Sequence, residues 1–223
     1  MAKVATGKKS PSNISRRRST ALDEAAPEYL ARRKELIRIA SDIFKQKGYR
    51  STSFGDIATH TGLDRATLYY YFGSKEEIFQ NAVQGALTRN LEGMQEIMRD
   101  QGLDAIGKLQ RLVWMFMNSY HENYPYLFVY LQQDLGTIVD ETSEWAQNVQ
   151  QQVRLIEEAF AALIKQGIAK GDLRDDIPVS LSLNAIFGML NWTHRWYSPT
   201  GKNSPATIAE AFSKIFIEGM RRR

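Results

Sequence analysis

Apolar residues recur at helical spacing along almost the whole chain beyond residue 28. Leu36, Ile39, Ala40, Ile43 and Phe44 form a first stripe, spaced three and four apart as one face of a helix requires. The stripe stops at Lys47-Gly48, where glycine readily adopts the left-handed conformation that closes a helix, so the pattern predicts a helix over about 28–47. Ser53 and Asp64 are N-cap residues ahead of two short helices, their side-chain oxygens suited to accept the first free backbone N–H groups. The first carries Phe54, Ile57 and Ala58 and stops at Thr61-Gly62; the second covers 65–71 with Leu68 and Phe72 facing inward. Ser74-Lys75-Glu76-Glu77 has the form of a capping box and opens a long helix through Phe79, Val83, Leu87, Leu91, Met94 and Met98 to near Gly102. Further helices are predicted from Asp104 through Tyr120, from Pro125 through Asp134 and from about 141 to 166. Two more run from Pro178 to about Tyr197 and from Ser204-Pro205 to near Met220. Proline suits a first helical turn, because its φ is already helical. No alternating apolar run flanked by hairpin signals occurs, so no strand is predicted. The expected fold is all-α, with about nine helices.

Two short helices joined by a glycine-containing turn after a longer helix make the helix-turn-helix pattern. The expected organisation is a three-helix domain over 28–74 and a larger helical domain over 75–223. Residues 1–27 are rich in Ser, Thr, Lys and Arg. They hold too little apolar surface to offset chain entropy and are expected to form a disordered basic arm.

Charge sharpens this division. Net charge is +4 over residues 1–27, +3 over 28–89 and −3 over 90–223, so a polyanion is the natural partner of the first third. The chain has 223 residues and no cysteine, which excludes disulfides, thiolate metal sites and cysteine nucleophiles. No apolar run approaches the roughly 20 residues of a membrane span and the first residues lack an apolar signal core, so no membrane and a cytoplasmic location are expected. Three histidines lie scattered at His60, His121 and His194; there is no glycine-rich phosphate loop and no His-Glu-x-x-His spacing. No catalytic residue, metal or cofactor is therefore expected.

The stretch from Gly48 to Phe79, including Ser53-Phe54-Gly55-Asp56-Ile57-Ala58 and Thr67-Leu68-Tyr69-Tyr70-Tyr71-Phe72-Gly73-Ser74-Lys75-Glu76-Glu77, resembles the DNA-binding domain of the tetracycline-repressor (TetR) family. The likeness runs without a gap over roughly residues 30–80. It departs at Leu63-Asp64, where Val-Ser is commoner, and at Gly55, a position that is often charged. The resemblance implies that the second short helix presents Arg65, Ala66, Thr67, Tyr69 and Tyr70 to the major groove of double-stranded DNA. Arg65 can donate two hydrogen bonds to a guanine edge, and Ala66 or the Thr67 methyl can pack on a thymine methyl. It also implies phosphate contacts from Ser53, Tyr70, Tyr71 and Lys75, the last at a helix start where free N–H groups favour an anion. Tyr69 and Tyr71 can equally be packing residues.

The helix predicted over 178–197 is apolar on more than one face, so it needs cover on two sides. In the TetR family the last two helices form a four-helix dimer interface, which implies a homodimer on a palindromic operator; Ile208, Phe212, Ile215 and Phe216 would complete that interface. The same family places an inducer pocket among the remaining helices, with Met94, Met98, Trp114, Met117, Tyr120, Phe128, Trp145, Asn191 and His194 as candidate contacts; ordinary core packing is the alternative for each. The segment from Asn191 to Gly201 is similar to one in regulators of lipid and steroid breakdown, some of which sense acyl-CoA thioesters. Arg195 there would meet an anionic group, or form a salt bridge. The expected function is a ligand-responsive transcriptional regulator, a repressor released by a small apolar effector, with an acyl-CoA thioester as the specific candidate. The alternative is an architectural DNA-binding protein without an effector, which a filled core lacking any cavity would favour.

Overall fold

The structure, a computed structural model, describes residues 13–23, 26–124, 127, 130 and 143–222. In chain order the helices are α1 (Asn13–Asp23), α2 (Pro27–Lys47), α3 (Phe54–Thr61), α4 (Arg65–Tyr71), α5 (Lys75–Arg99), α6 (Ala105–Glu122), α7 (Glu144–Lys170), α8 (Val179–Trp192) and α9 (Pro205–Met220), with a 3-10 turn at Thr193–Arg195 after α8. Among the described residues the extended pairing is a single antiparallel bridge between Leu173 and Arg221. The helix expected from Pro125 lies outside the described residues. The chain divides into two compact units, Met1–Asn81 and Ala82–Arg223, so the division falls inside α5 rather than at its first residue.

In the first unit, α2 begins with Pro27 at its first turn and closes at Gly48, whose φ of 84° is open to glycine at little cost. Leu36, Phe44, Ile57, Leu68, Phe72, Ile78 and Phe79 form its core, each at most 1% exposed. Residues 13–23 correct the expectation of a disordered arm: they form α1. Composition gave no warning, because this helix is held by neighbours distant in sequence rather than by a strong apolar stripe of its own. It lies against α4 and α2, and Arg18 pairs with Glu77 at 3.6 Å. Residues 1–12 of the arm lie outside the described residues.

In the second unit, α6, α7, α8 and α9 surround a core that includes Leu109, Leu112, Met117, Phe160, Leu163, Ile164 and Ile186. α7 runs past the expected stop at Gly167 and ends at Gly171, which takes the left-handed cap with φ 80°. Gly167 is instead a packing position: a Cβ there would lie 2.8 Å from Leu173 Cγ. That close approach seats the loop after α7, where the Arg174 N–H donates to the Met220 carbonyl at 2.8 Å. α8 ends at Trp192, earlier than expected, and Tyr197 turns inward to 5% exposure. No described helix is long and apolar enough to cross a membrane.

Candidate nucleic-acid interface

The α3–α4 pair is built from two caps. The Ser53 Oγ accepts from the Asp56 N–H at 3.1 Å and donates to Asp56 Oδ2 at 2.7 Å, while the Ser53 N–H donates to the same carboxylate at 2.8 Å. These bonds, with Lys47 3.4 Å away, bring the Asp56 carboxyl down to about 2. Gly62, at φ 68°, turns the chain. Asp64 then caps α4, accepting from the Thr67 N–H at 2.7 Å and the Thr67 hydroxyl at 3.1 Å, and both bonds hold it below its ordinary carboxylate value. Spending the Thr67 hydroxyl on the cap leaves its methyl for apolar contact. Leu68 is fully buried, and helical geometry therefore turns Arg65, Ala66 and Tyr69 outward, all three exposed. Tyr69 packs against Phe54, its ring tilted by 32° with centroids 4.6 Å apart. Arg65 folds back over Gly55: a Cβ at that glycine would touch Nη2 and stand 3.2 Å from both Nε and Cζ. The missing side chain at a position often charged is thus the space the Arg65 guanidinium occupies.

The C-terminal end of α4 is fixed from α2. Tyr29 stacks on Tyr71 at 5.0 Å and meets Tyr70 edge-on at 5.3 Å, and its hydroxyl donates to the Tyr70 carbonyl at 3.1 Å. Arg33, 6% exposed, donates to the Tyr71 carbonyl and lies 4.1 Å over the Phe72 ring. It also reaches Asn81 Oδ1 at 3.2 Å and Glu77 Oε1 at 3.5 Å. This anchorage went unseen in the sequence; Tyr29 and Arg33 sit four apart on α2, but their partners lie about forty positions on. Ser74 and Glu77 make only half of the expected box. The Glu77 N–H donates to Ser74 Oγ at 3.1 Å, but the Glu77 carboxylate takes the Gly73 N–H at 2.7 Å. The Lys75 ammonium is turned inward, donating to the Tyr49 carbonyl at 2.9 Å and the Thr52 carbonyl at 2.8 Å, with its charge 4.4 Å from the Tyr49 ring centroid.

The second unit contains a partly open cavity of about 170 Å³. Of the expected contacts, Met117, Tyr120 and Asn191 border it, together with Asn90, Phe116, Tyr130, Ile156 and Phe187. The Tyr120 hydroxyl is buried without a hydrogen-bond partner among the described residues, and burial raises its pKa. Asn90, 5% exposed, had a sequence signal that was missed: it interrupts the apolar face formed by Leu87, Leu91 and Met94. The other candidates are not gathered there. Met94 is buried in the core and Met98 packs against it. Trp114 is 44% exposed beside Arg111, and Trp145 is half-buried in the first turn of α7. The His194 Nδ1 bonds the Asn191 carbonyl at 2.7 Å. Phe128 lies outside the described residues. Arg195 is exposed and stacks over Trp192, 5.1 Å from its ring centroid.

Large apolar side chains crowd the outer faces of α8, the turn after it and α9: Leu181, Trp192, Trp196 and Ile215 are 47–62% exposed. Two residues expected on that face are elsewhere. Ile208 and Phe216 are each 5% exposed inside the unit's own core, because they share a face of α9 with Ala209, Ile217 and Met220 that is turned inward. Phe212 is half-buried, 6.2 Å from the Trp196 ring.

Residues 36–82 match the family model of bacterial regulatory proteins of the tetR family, and residues 102–220 match that of the tetracyclin repressor-like C-terminal domain. The chain belongs to the TetR family. As a TetR protein it is a helix-turn-helix, DNA-binding transcriptional regulator. It is 26% identical to the HTH-type transcriptional repressor KstR2 of Rhodococcus jostii over 189 residues, 85% of this chain and 91% of that one. The solved structure of the ketosteroid transcriptional regulator KstR2 of Mycobacterium tuberculosis superposes with a TM-score of 0.80 at 22% identity, covering 86% of this chain and 96% of that one. AibR, solved in complex with isovaleryl coenzyme A and operator DNA, superposes at 0.69 and 16% identity, covering 82% and 97%. The TetR match begins at Leu36, so α1 and the start of α2 lie outside it.

Proposed function

We propose that this TetR protein is a cytoplasmic homodimeric repressor that binds a palindromic operator and releases it when a small apolar effector enters the second unit. The observation that carries the DNA reading is α4: capped by Asp64, pinned by Leu68, and exposing Arg65, Ala66 and Tyr69 together. In that arrangement Arg65 donates to a guanine edge, while Ala66 and the Thr67 methyl meet thymine methyls. Tyr69 stands beside them toward the groove, and Tyr70, Tyr71 and Ser53 flank them toward the phosphates. Lys75 has spent two of its three N–H donors on carbonyls, and the third remains for a phosphate. The exposed Leu181, Trp192, Trp196 and Ile215 support a dimer through α8 and α9, since four large apolar side chains left exposed on two neighbouring helices and the turn between them call for cover.

The cavity favours an effector over the architectural alternative. A void near 150 Å³ holds a benzene-sized guest, so about 170 Å³ suits a short branched acyl or single aromatic group; a steroid nucleus needs the walls to move. An acyl-CoA thioester fits if its acyl end is buried, a reading supported by the isovaleryl coenzyme A bound to AibR. Leu87 and Asn90 border the cavity from α5, whose first turn carries Lys75 and Glu77, so a guest that prefers a shifted α5 lowers operator affinity. Equal affinity for both states would shift nothing.

The test is selection of duplexes from a random library, then addition of short acyl-CoA thioesters and aromatic acids to the complex. Sequence preference, with an affinity that falls steeply as salt rises, and release by a ligand that also raises the melting temperature of the free protein, are expected. Equal affinity for selected and random duplexes refutes the operator reading; stabilisation without release refutes the effector role. Within the site, Arg65→Ala is expected to cost about 1–3 kcal/mol and relax preference at one base pair.

A further inference from the structure

Helix α1 lies outside the span that either family model covers, yet it is docked on α4. Its dock is specific. Arg18 reaches Glu77 at 3.6 Å, the same carboxylate that holds Arg33 and caps the Gly73 N–H. It passes over Gly73 so closely that a Cβ there would stand 2.6 Å from its Nη1. One residue earlier, Arg17 is exposed and has no ion pair among the described residues. With Ile14, one turn before it, Arg17 forms one wall of an open groove; Ala66, Thr67 and Tyr70 of α4 form the other. A guanidinium with no ion pair among the described residues therefore borders the residues proposed to enter the major groove. Asp64, the carboxylate at the start of α4, is occupied by Thr67.

We propose that α1 is a second DNA-contacting element, in which Arg17 binds backbone phosphates beside those flanking α4 and Arg18 is the positioning residue that holds it there through Glu77. Charge complementarity and continuity with the α4 face both favour the DNA backbone as occupant. Guanidinium pairs bidentately with phosphate, and such contacts add affinity without sequence preference. The proposal rests on the operator reading above.

The experiment measures affinity of full-length variants for a selected duplex and a scrambled one across a series of salt concentrations. Arg17→Ala is expected to weaken both duplexes alike, about three- to tenfold, and to make the slope of log affinity against log salt shallower by about 0.9, one phosphate contact. Arg17→Lys is expected to recover most of the affinity. Arg18→Ala and Gly73→Ala are expected to reproduce the loss by undocking α1, and the double variant Arg17→Ala/Arg18→Ala to lose little more than either alone. Unchanged affinity and slope in Arg17→Ala overturn the proposal. Tighter binding overturns it too and makes α1 a cover over α4, while a loss confined to the selected duplex overturns the phosphate assignment. Full additivity of the double variant removes Arg18 from its positioning role. Failure of the unaltered protein to prefer the selected duplex would refute the operator reading itself, a result separate from any difference between variants.

Discussion

Tyr29, Tyr71 and Phe72 fill the space between helices of the first unit, whereas Phe116, Tyr120 and Phe187 border a void of about 170 Å³ in the second. The polar atoms differ in the same way. In the first unit the Tyr29 hydroxyl and the Arg33 guanidinium each take a carbonyl at the end of α4, while in the second the buried Tyr120 hydroxyl has no partner among the described residues. Both units are rich in aromatic residues, so composition does not separate them. In the second unit Tyr124 also donates to a distant carbonyl, that of Tyr197 at 3.1 Å, and the Tyr120 ring meets the Tyr197 ring at 5.5 Å. What separates the units is therefore the Tyr120 hydroxyl and the void beside it. The satisfied contacts from Tyr29 and Arg33 hold the end of α4 in one orientation, as presentation to a rigid duplex requires; an incompletely filled cavity leaves room for a guest.

The largest expected effect tests the packing contrast directly. Phe72 is fully buried beneath Arg33, so Phe72→Ala should cost about 3–5 kcal/mol in urea unfolding. Phe116→Ala, beside an existing void, should cost clearly less; equal losses would erase the distinction between the units. Next is the outward face of α9. Ile215 is 62% exposed within the protomer, so Ile215→Glu should leave the fold intact. In the dimer it would bury an unpaired charge, splitting it to monomers by light scattering at micromolar concentration. An unchanged mass would move the interface away from α9.

A smaller effect is expected at Gly55. Alanine there removes the entropic cost of a helical glycine and should raise stability by about 0.5–1 kcal/mol, because the atoms it meets are the mobile end of Arg65. The displaced guanidinium should loosen operator preference at the base pair that Arg65 contacts. Unaltered preference would mean that the fold-back over Gly55 does not set the contact. The smallest effect is the pH response of the Ser53–Asp56 cap. Asp56 is lowered from 3.8 to about 2, so its contribution is fully present above its ordinary value and is lost as pH falls toward 2. Far-UV circular dichroism should show the loss of helix in that window, and Asp56→Asn, which keeps an acceptor but not the charge, should flatten the response.

Much of the architecture was legible because helix boundaries are written locally. Ser53, Asp64, Asp104 and Ser204 each accept from a backbone N–H three residues ahead, and Gly62 closes α3 within one turn. Contacts of that range follow from residue type and spacing alone; the outward set of Arg65, Ala66, Thr67, Tyr69 and Tyr70 came from the family resemblance, and of these Thr67 and Tyr70 are half-buried. The candidate effector contacts were only partly legible. Asn90 could have been found as a polar break in an apolar stripe, whereas Trp114 and Trp145 differ from Met117 only in which neighbours face them.

By itself, then, the sequence determined the starts of α3, α4, α6 and α9 and the helix-turn-helix, because caps, glycines and periodicity act within about one turn. Tertiary structure alone decided that residues 13–23 become a helix docked on α4, that the Lys75 charge turns onto the carbonyls of Tyr49 and Thr52, and that Gly55 makes way for Arg65. It also decided that Ile208 and Phe216 belong to the core while Ile215 faces outward. Each of these depends on what a side chain meets across the fold. A residue far along the chain supplies the carbonyl, the carboxylate or the empty space, and spacing along a single helix carries no record of it.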